Sequence, residues 1–411
     1  MRASGYDFDN MASAEQMTII VFADTILGPN GVRSYYLTLH RWAQRTGRMR
    51  MVVLSPADDA ETAPDEDHIG VRPWFRVPTP FYRDLVLGHY SVGKLTTLVR
   101  GIAGAKIIHI ASAGPLGLAG ARVAQRLGLP AVGCYHVDTP ACSRLYGTQT
   151  FGPVGGWLGA GLARILDRRA YGACSALYAP SQSAADAARL IFHQDVDVIP
   201  NPVDLSDFQP AASRQGDFRA QYNPEGKILA IVVGRVAREK NLDLVGKHLL
   251  SDSRIQTVFV GDGPYASTMR ERYGAAITGF LRGQQLKGAF QQADLLVQLS
   301  VAETFGLALV EAMASGLPSV VLRSRGFVEH LPPGASDILE LDELDALGSR
   351  CVALYQNRAR YADMIAKARD HVQQLSVEHV IPRVADWHQR FVRGARPADE
   401  ELRSSATRIV G

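Results

Sequence analysis

Residues Val297 to Val321 read VQLSVAETFGLALVEAMASGLPSVV, and this stretch decides the fold. Leu295 to Leu299 is a short apolar run of strand type. A polar turn follows, then a helix opening near Phe305 and Gly306, with Leu307, Val310, Glu311 and Ala314 at helical spacing. Gly316-Leu-Pro stops that helix, and Ser319 to Val321 begins a second strand. Strand, turn, helix, strand is the unit of a parallel α/β sheet. The helix start leaves backbone N–H groups unpaired at the positive end of a dipole, which favours an anion such as phosphate. Glu303 precedes that end and Glu311 lies eight residues on, about two turns along at ~1.5 Å per residue.

The same unit recurs to either side. Upstream, Ile228 to Val233 is a strand ending in Gly234-Arg235-Val-Ala-Arg238-Glu-Lys240-Asn241. Arg235 and Lys240 lie just beyond it, where a planar fork and a point charge can grip a diphosphate, while Arg238 is expected to face solvent. Thr257 to Val260 runs into Gly261-Asp262-Gly263-Pro264, and Ile277-Thr-Gly279-Phe280 forms the next turn. Far upstream, Thr18 to Phe22 leads through Asp24 and Gly28-Pro-Asn30-Gly31 into an amphipathic helix with Tyr35, Tyr36, Leu39 and Trp42 on one side. Ala131 to Tyr135 ends in His136-Val-Asp138-Thr-Pro140, polar groups at the carboxyl end of a strand, where open α/β sheets bind ligands. Pro200-Asn201-Pro202-Val203-Asp204 and the polar run after it mark a domain boundary.

At 411 residues the chain is long enough for two or three cores. A net charge of +3 with no dominant basic block argues against nucleic acid. Cys134, Cys142, Cys174 and Cys351 show neither a C-x-x-C pair nor metal spacing, so reduced thiols, a cytoplasmic setting and no metal centre are expected. Residues 1–16 lack the apolar core of a signal peptide and are expected to be a disordered extension. Ile102 to Ala121 is broken by Lys106, His109, Pro115 and glycines, and is not a membrane span. An acidic loop (Asp58, Asp59, Glu61, Asp65, Glu66, Asp67) precedes Arg72, Arg76, Arg83, Lys94 and Arg100 with Trp74, Phe75, Phe81, Tyr82 and Tyr90 among them. Basic residues with interfacial aromatics suit peripheral docking on an anionic membrane, at about 1 kcal/mol per basic residue.

In this order the motifs resemble those of the retaining nucleotide-sugar glycosyltransferases of family 4, which have the GT-B fold. Glu303-x7-Glu311, Gly-Arg235-x5-Lys240-Asn, Gly31 after the first strand, His136-Val-Asp138 and the Pro-Asn201 hinge carry the likeness. Val137, Thr139-Pro140 and Pro202 depart from the usual residues, which bears on acceptor preference and on the hinge. The resemblance implies two Rossmann-like domains facing a cleft. An acceptor domain would span 17–205, completed by a returning helix at 376–393. A donor domain would span 206–375, with a tail at 395–411.

It implies donor contacts from Gly31, Arg235, Lys240, Gly261, Phe280, Glu303, Phe305, Gly306, Leu307 and Glu311, with Glu311 on the ribose and Glu303 on the sugar. His136, Glu303, Arg235 and Lys240 would act in catalysis, and Asp24, Asn30, His136 and Asp138 would meet the acceptor. No cofactor or metal is implied beyond the donor. Attack would occur on the face the diphosphate leaves, and the acceptor would be a glycolipid or lipid-linked sugar. A soluble acceptor (aminocyclitol, phosphosugar or oligosaccharide), a related phosphorylase or epimerase, and a non-catalytic sugar-nucleotide binder are the alternatives. A nicotinamide dehydrogenase is disfavoured, since no G-x-G-x-x-G follows the first strand.

Overall fold

The computed structural model describes residues 16–26, 30–57, 67–77, 87–211, 213–301 and 303–392. Residues 1–15 of the expected N-terminal extension, the tail, Gly28, the acidic residues from Asp58 to Glu66, and Phe81 to Asp84 lie outside them, whereas Gln16 is described and its Nε2 donates to Gly47 O at 2.8 Å.

Two all-parallel sheets organise the chain. The first has seven strands in the spatial order His68–Val71, Arg50–Pro56, Met17–Phe22, Ala105–Ile110, Ala131–Cys134, Ala176–Ala179 and Val196–Val198. The second has six, in the order Ala276–Ile277, Ile255–Val260, Ile228–Val233, Leu295–Gln298, Ser319–Leu322 and Asp337–Leu339. Both sheets reverse direction of growth beside their first strand, between Met17–Phe22 and Ala105–Ile110 and between Ile228–Val233 and Leu295–Gln298. Loops diverge at such a point and open a crevice at the strand carboxyl ends. The strands read as nearly unbroken Val/Ile/Leu because helices cover both faces of each sheet.

The last helix, Val377–Val392, packs on the first domain although it follows the second. Val377, Val380, Ile381, Val384 and Trp387 join the core formed by Tyr35, Tyr36, Leu39 and the first sheet. Each large side chain buried there contributes roughly 1.5–3 kcal/mol. Two chain segments therefore link the domains, and they are bonded to each other. Val203 N–H donates to Leu375 O at 2.8 Å, and Val377 N–H to Val203 O at 3.1 Å. In the basic-aromatic segment, Trp74 and Phe75 are exposed but Tyr90 is buried.

Candidate active site

The second domain supplies the denser half of the site. Strand Ile228–Val233 ends at Gly234, where the Gly261 turn presses so close that a Cβ on Gly261 would lie 2.0 Å from Gly234 O. Glycine is required there, because no side chain fits. Arg235 follows, then a single 3-10 turn, Arg238–Lys240. Arg238 faces solvent over the Tyr265 ring. Asn241 Nδ2 donates to Leu299 O at 3.0 Å, tying this turn to the neighbouring strand end across the switch point. Lys240 Nζ thereby reaches Glu303 and forms an ion pair and hydrogen bond with it. Glu239 stands 3.7 Å from Arg235.

After Glu303 the chain turns through Gly306 at φ 79°, and a Cβ there would strike the Phe327 ring at 2.7 Å. Helix Leu307–Ala314 starts at that glycine, one or two residues later than its sequence suggests. Its first bond runs from Leu309 N–H to Gly306 O, so the Leu307 and Ala308 N–H groups lie ahead of the ladder. Phe305 and Gly306 are buried and can offer a ligand only backbone. Glu311 sits one turn along. Phe280 is exposed on the Gly279 turn with Arg282 over its ring.

The first domain supplies the facing wall. Gly31 opens helix Gly31–Thr46 and is so near the other domain that a Cβ on it would lie 3.1 Å from Leu307 Cδ1. His136 follows strand Ala131–Cys134 and is buried edge-on to Tyr35 and Tyr36, with ring centroids at 4.5 and 5.4 Å. Its Nε2 has no hydrogen-bond partner among the described residues. The wall is braced from behind by a chain whose tautomers can be assigned. His388 Nδ1–H donates to Val384 O, so His388 Nε2 accepts from His109 Nδ1–H at 2.9 Å, and His109 Nε2 accepts from Tyr36 Oη–H at 2.7 Å.

Hydrogen bonds join the two walls of the site. Thr304 Oγ1 donates to His136 O at 2.8 Å, and Arg235 Nη2 donates to Tyr146 Oη at 2.8 Å. Gly31, His136, Arg235, Lys240, Glu303 and Leu307, scattered through the sequence, thus share one crevice.

Residues 29–207 match the family model Glycosyltransferase Family 4, and residues 213–371 match Glycosyl transferases group 1. The GDP-mannose-dependent alpha-mannosyltransferase of Mycobacterium tuberculosis is 30% identical over 341 residues, 81% of this chain and 86% of that protein. The chain belongs to the family 4 glycosyltransferases. The protein of the same description from Corynebacterium glutamicum is 29% identical over 374 residues, covering 88% of this chain and 86% of its own. In fold, the chain is similar to Anabaena HepE in complex with UDP-glucose, with a TM-score of 0.70 at 18% identity, over 91% of this chain and 99% of that one. The architecture is GT-B, and the chain is a nucleotide-sugar glycosyltransferase.

Burial sets the electrostatics of this glycosyltransferase. Desolvation would lower the Lys240 pKa, but the charge and hydrogen bond of Glu303, then Glu239, outweigh it and hold the ammonium protonated. Burial lowers the His136 pKa to about 3, so its ring is neutral and can exchange a hydrogen bond but carries no charge. Glu311 is raised to about 8, by desolvation first and by the Asp207 charge second. Among the described residues no hydrogen-bond donor stabilises its ionised form.

Three sequence-assigned acceptor residues have structural tasks. Asp24 is fully buried, and its oxygens accept from Leu116 N–H at 2.7 Å, Gly117 N–H at 3.0 Å and Ser112 Oγ–H at 2.9 Å. It caps helix Pro115–Leu127 from a neighbouring strand end, and burial outweighs those bonds to raise its pKa to about 6. Asn30 caps its own helix, accepting from Arg33 N–H at 2.9 Å. Asp138 caps helix Thr139–Tyr171 through Ala141 N–H at 2.9 Å. Replacing Asp24 with alanine strands three donors and is expected to cost ~2–4 kcal/mol while leaving donor affinity unchanged. Thermal melting paired with donor titration checks this, and a selective loss of acceptor binding at unchanged stability would refute the capping role.

Tyr146 and Thr304 carry cross-cleft contacts that no spacing rule announces. Ser183 and Glu329 add another, the Ser183 N–H donating to both Glu329 oxygens at 2.9 and 3.0 Å. Only a folded chain brings them together, since they are separated by scores of residues.

Proposed function

We propose that this glycosyltransferase moves mannose from GDP-mannose to a hydroxyl of a lipid-linked acceptor, with retention of anomeric configuration and no resident metal. The observation that carries the reading is the convergence of Arg235 and Lys240 on the Leu307 helix start, opposite Gly31 and His136. The sugar assignment follows the two mannosyltransferase relatives. Charge that develops on the departing diphosphate meets two cations and two free N–H groups already in place, the most effective form of transition-state stabilisation. Glu303 is released from Lys240 as phosphate replaces it, and turns to the sugar hydroxyls. Glu311 accepts hydrogen bonds from the ribose. His136, neutral and with Nε2 unpartnered, faces the sugar from the opposite wall.

In this reading the departing phosphate oxygen takes the acceptor proton on the same face.

Calorimetry with GDP-mannose, UDP-glucose and ADP-glucose, followed by NMR of the product anomer, tests the proposal. GDP-mannose is expected to bind at least tenfold more tightly than the others, to yield an α-linked product, and to react at a rate that EDTA leaves unchanged. Preference for a uridine donor or an inverted product would overturn it.

A further inference from the structure

Directly after His136 and Asp138 the chain forms one long helical element, Thr139–Tyr171, broken only at Gly152, where φ is 72°. The break folds it into a hairpin. Its arms pack through glycines: a Cβ on Gly147 would lie 2.6 Å from Gly155 O, and one on Gly156 would lie 2.7 Å from Arg144 O. The first arm lines the cleft and carries Tyr146 to Arg235. The second arm packs on the first and turns its apolar side chains outward.

That second arm is amphipathic in the wrong direction for a lone globular domain. Val154, Trp157, Leu158, Leu162 and Ile165, together with Phe151 at the tip, are each at least half exposed, Trp157 by 72%. Their spacing places them along one side of the helix. A contiguous outward apolar stripe of this size marks an interface. Its charges name the partner. Arg144, Arg164, Arg168 and Arg169 are exposed on the hairpin, whereas its only acid, Asp167, is fully buried. A second copy would bring arginines against arginines with no exposed carboxylate on the hairpin to answer them, but a negatively charged lipid surface complements them.

We propose that the hairpin face from Phe151 to Ile165 seats this glycosyltransferase on an anionic bilayer, its apolar side chains in the headgroup boundary and its arginines on lipid phosphates. The inference rests on the lipid-linked acceptor proposed above and assigns the docking surface to this helix instead of the basic-aromatic segment between Arg72 and Arg100. With the second arm on the bilayer and the first on the cleft, a lipid-borne hydroxyl would reach His136 without leaving the membrane.

The test is vesicle co-sedimentation of the full chain and of the double variant Trp157→Glu, Leu162→Glu, on phosphatidylglycerol–phosphatidylcholine vesicles and on phosphatidylcholine alone. A companion variant, Arg164→Glu with Arg169→Glu, probes the charges. The parent is expected to pellet with the anionic vesicles only, and each variant to bind at least about tenfold more weakly with melting temperature and GDP-mannose affinity unchanged. Pelleting of either variant like the parent, equal pelleting on neutral vesicles, or a parent dimer that the Trp157 variant dissociates in sedimentation velocity would overturn the proposal. Absence of GDP-mannose binding by the parent bears on the proposed activity instead, so the two failures are read separately.

Discussion

Replacing Lys240 with alanine is expected to lower kcat/KM for donor turnover at least 100-fold, about 2.7 kcal/mol. Lys240 is one of two cations in the crevice placed by a clamped turn, and it stands in a partly buried setting where a charge acts more strongly than in water. The loss falls mainly on kcat if the charge matters most as the diphosphate departs. Its partner supplies the control. If Lys240 served only to neutralise Glu303, Glu303→Gln in the same chain would restore activity to the alanine variant. If Lys240 grips phosphate, the double variant stays at least as impaired as the single one. Steady-state kinetics of both single variants and the double one decide between these outcomes, and activity of Lys240→Ala within threefold of the parent would remove Lys240 from the donor site.

Much of this site was legible because its parts are local. Gly234-Arg235 and Lys240-Asn241 follow a strand that its own apolar run betrays, and Glu303 and Glu311 flank a helix start bounded by glycine. Each lies within a few residues of a signal that backbone geometry enforces. The capping role of Asp24 is hidden for the converse reason. Its sequence neighbourhood is a polar loop beside a glycine turn, yet its partners are Ser112, Leu116 and Gly117, brought alongside by pairing of Met17–Phe22 with Ala105–Ile110. Long-range partners of that kind have no period or spacing. The hairpin has no local signal of its own, since only in the folded chain do Gly147, Gly155 and Gly156 let two helices touch. Once that packing is known, the positions of Trp157, Leu158 and Leu162 carry information that periodicity alone did not.

Glu311 should make donor binding pH-dependent. In the donor-free chain its carboxyl titrates at about 8, so at neutral pH it is mostly protonated. Ribose hydroxyls that donate to the carboxylate favour the ionised form and lower the pKa in the complex. Binding between those two values must therefore release a proton, and affinity rises with pH by roughly tenfold per unit below 8, about 50-fold between pH 6 and pH 8. The sign for folding is opposite. A carboxyl raised from 4.5 favours the native state while it stays protonated, so the donor-free chain loses that contribution as pH climbs from 4.5 through about 8. Glu311→Gln mimics the protonated acid, so it should flatten both profiles and hold donor affinity near the weak, low-pH limit at every pH. Calorimetry in buffers of different ionisation enthalpy reads the released proton directly. No proton release at pH 7, or an unaltered pH profile in Glu311→Gln, would take Glu311 off the ribose.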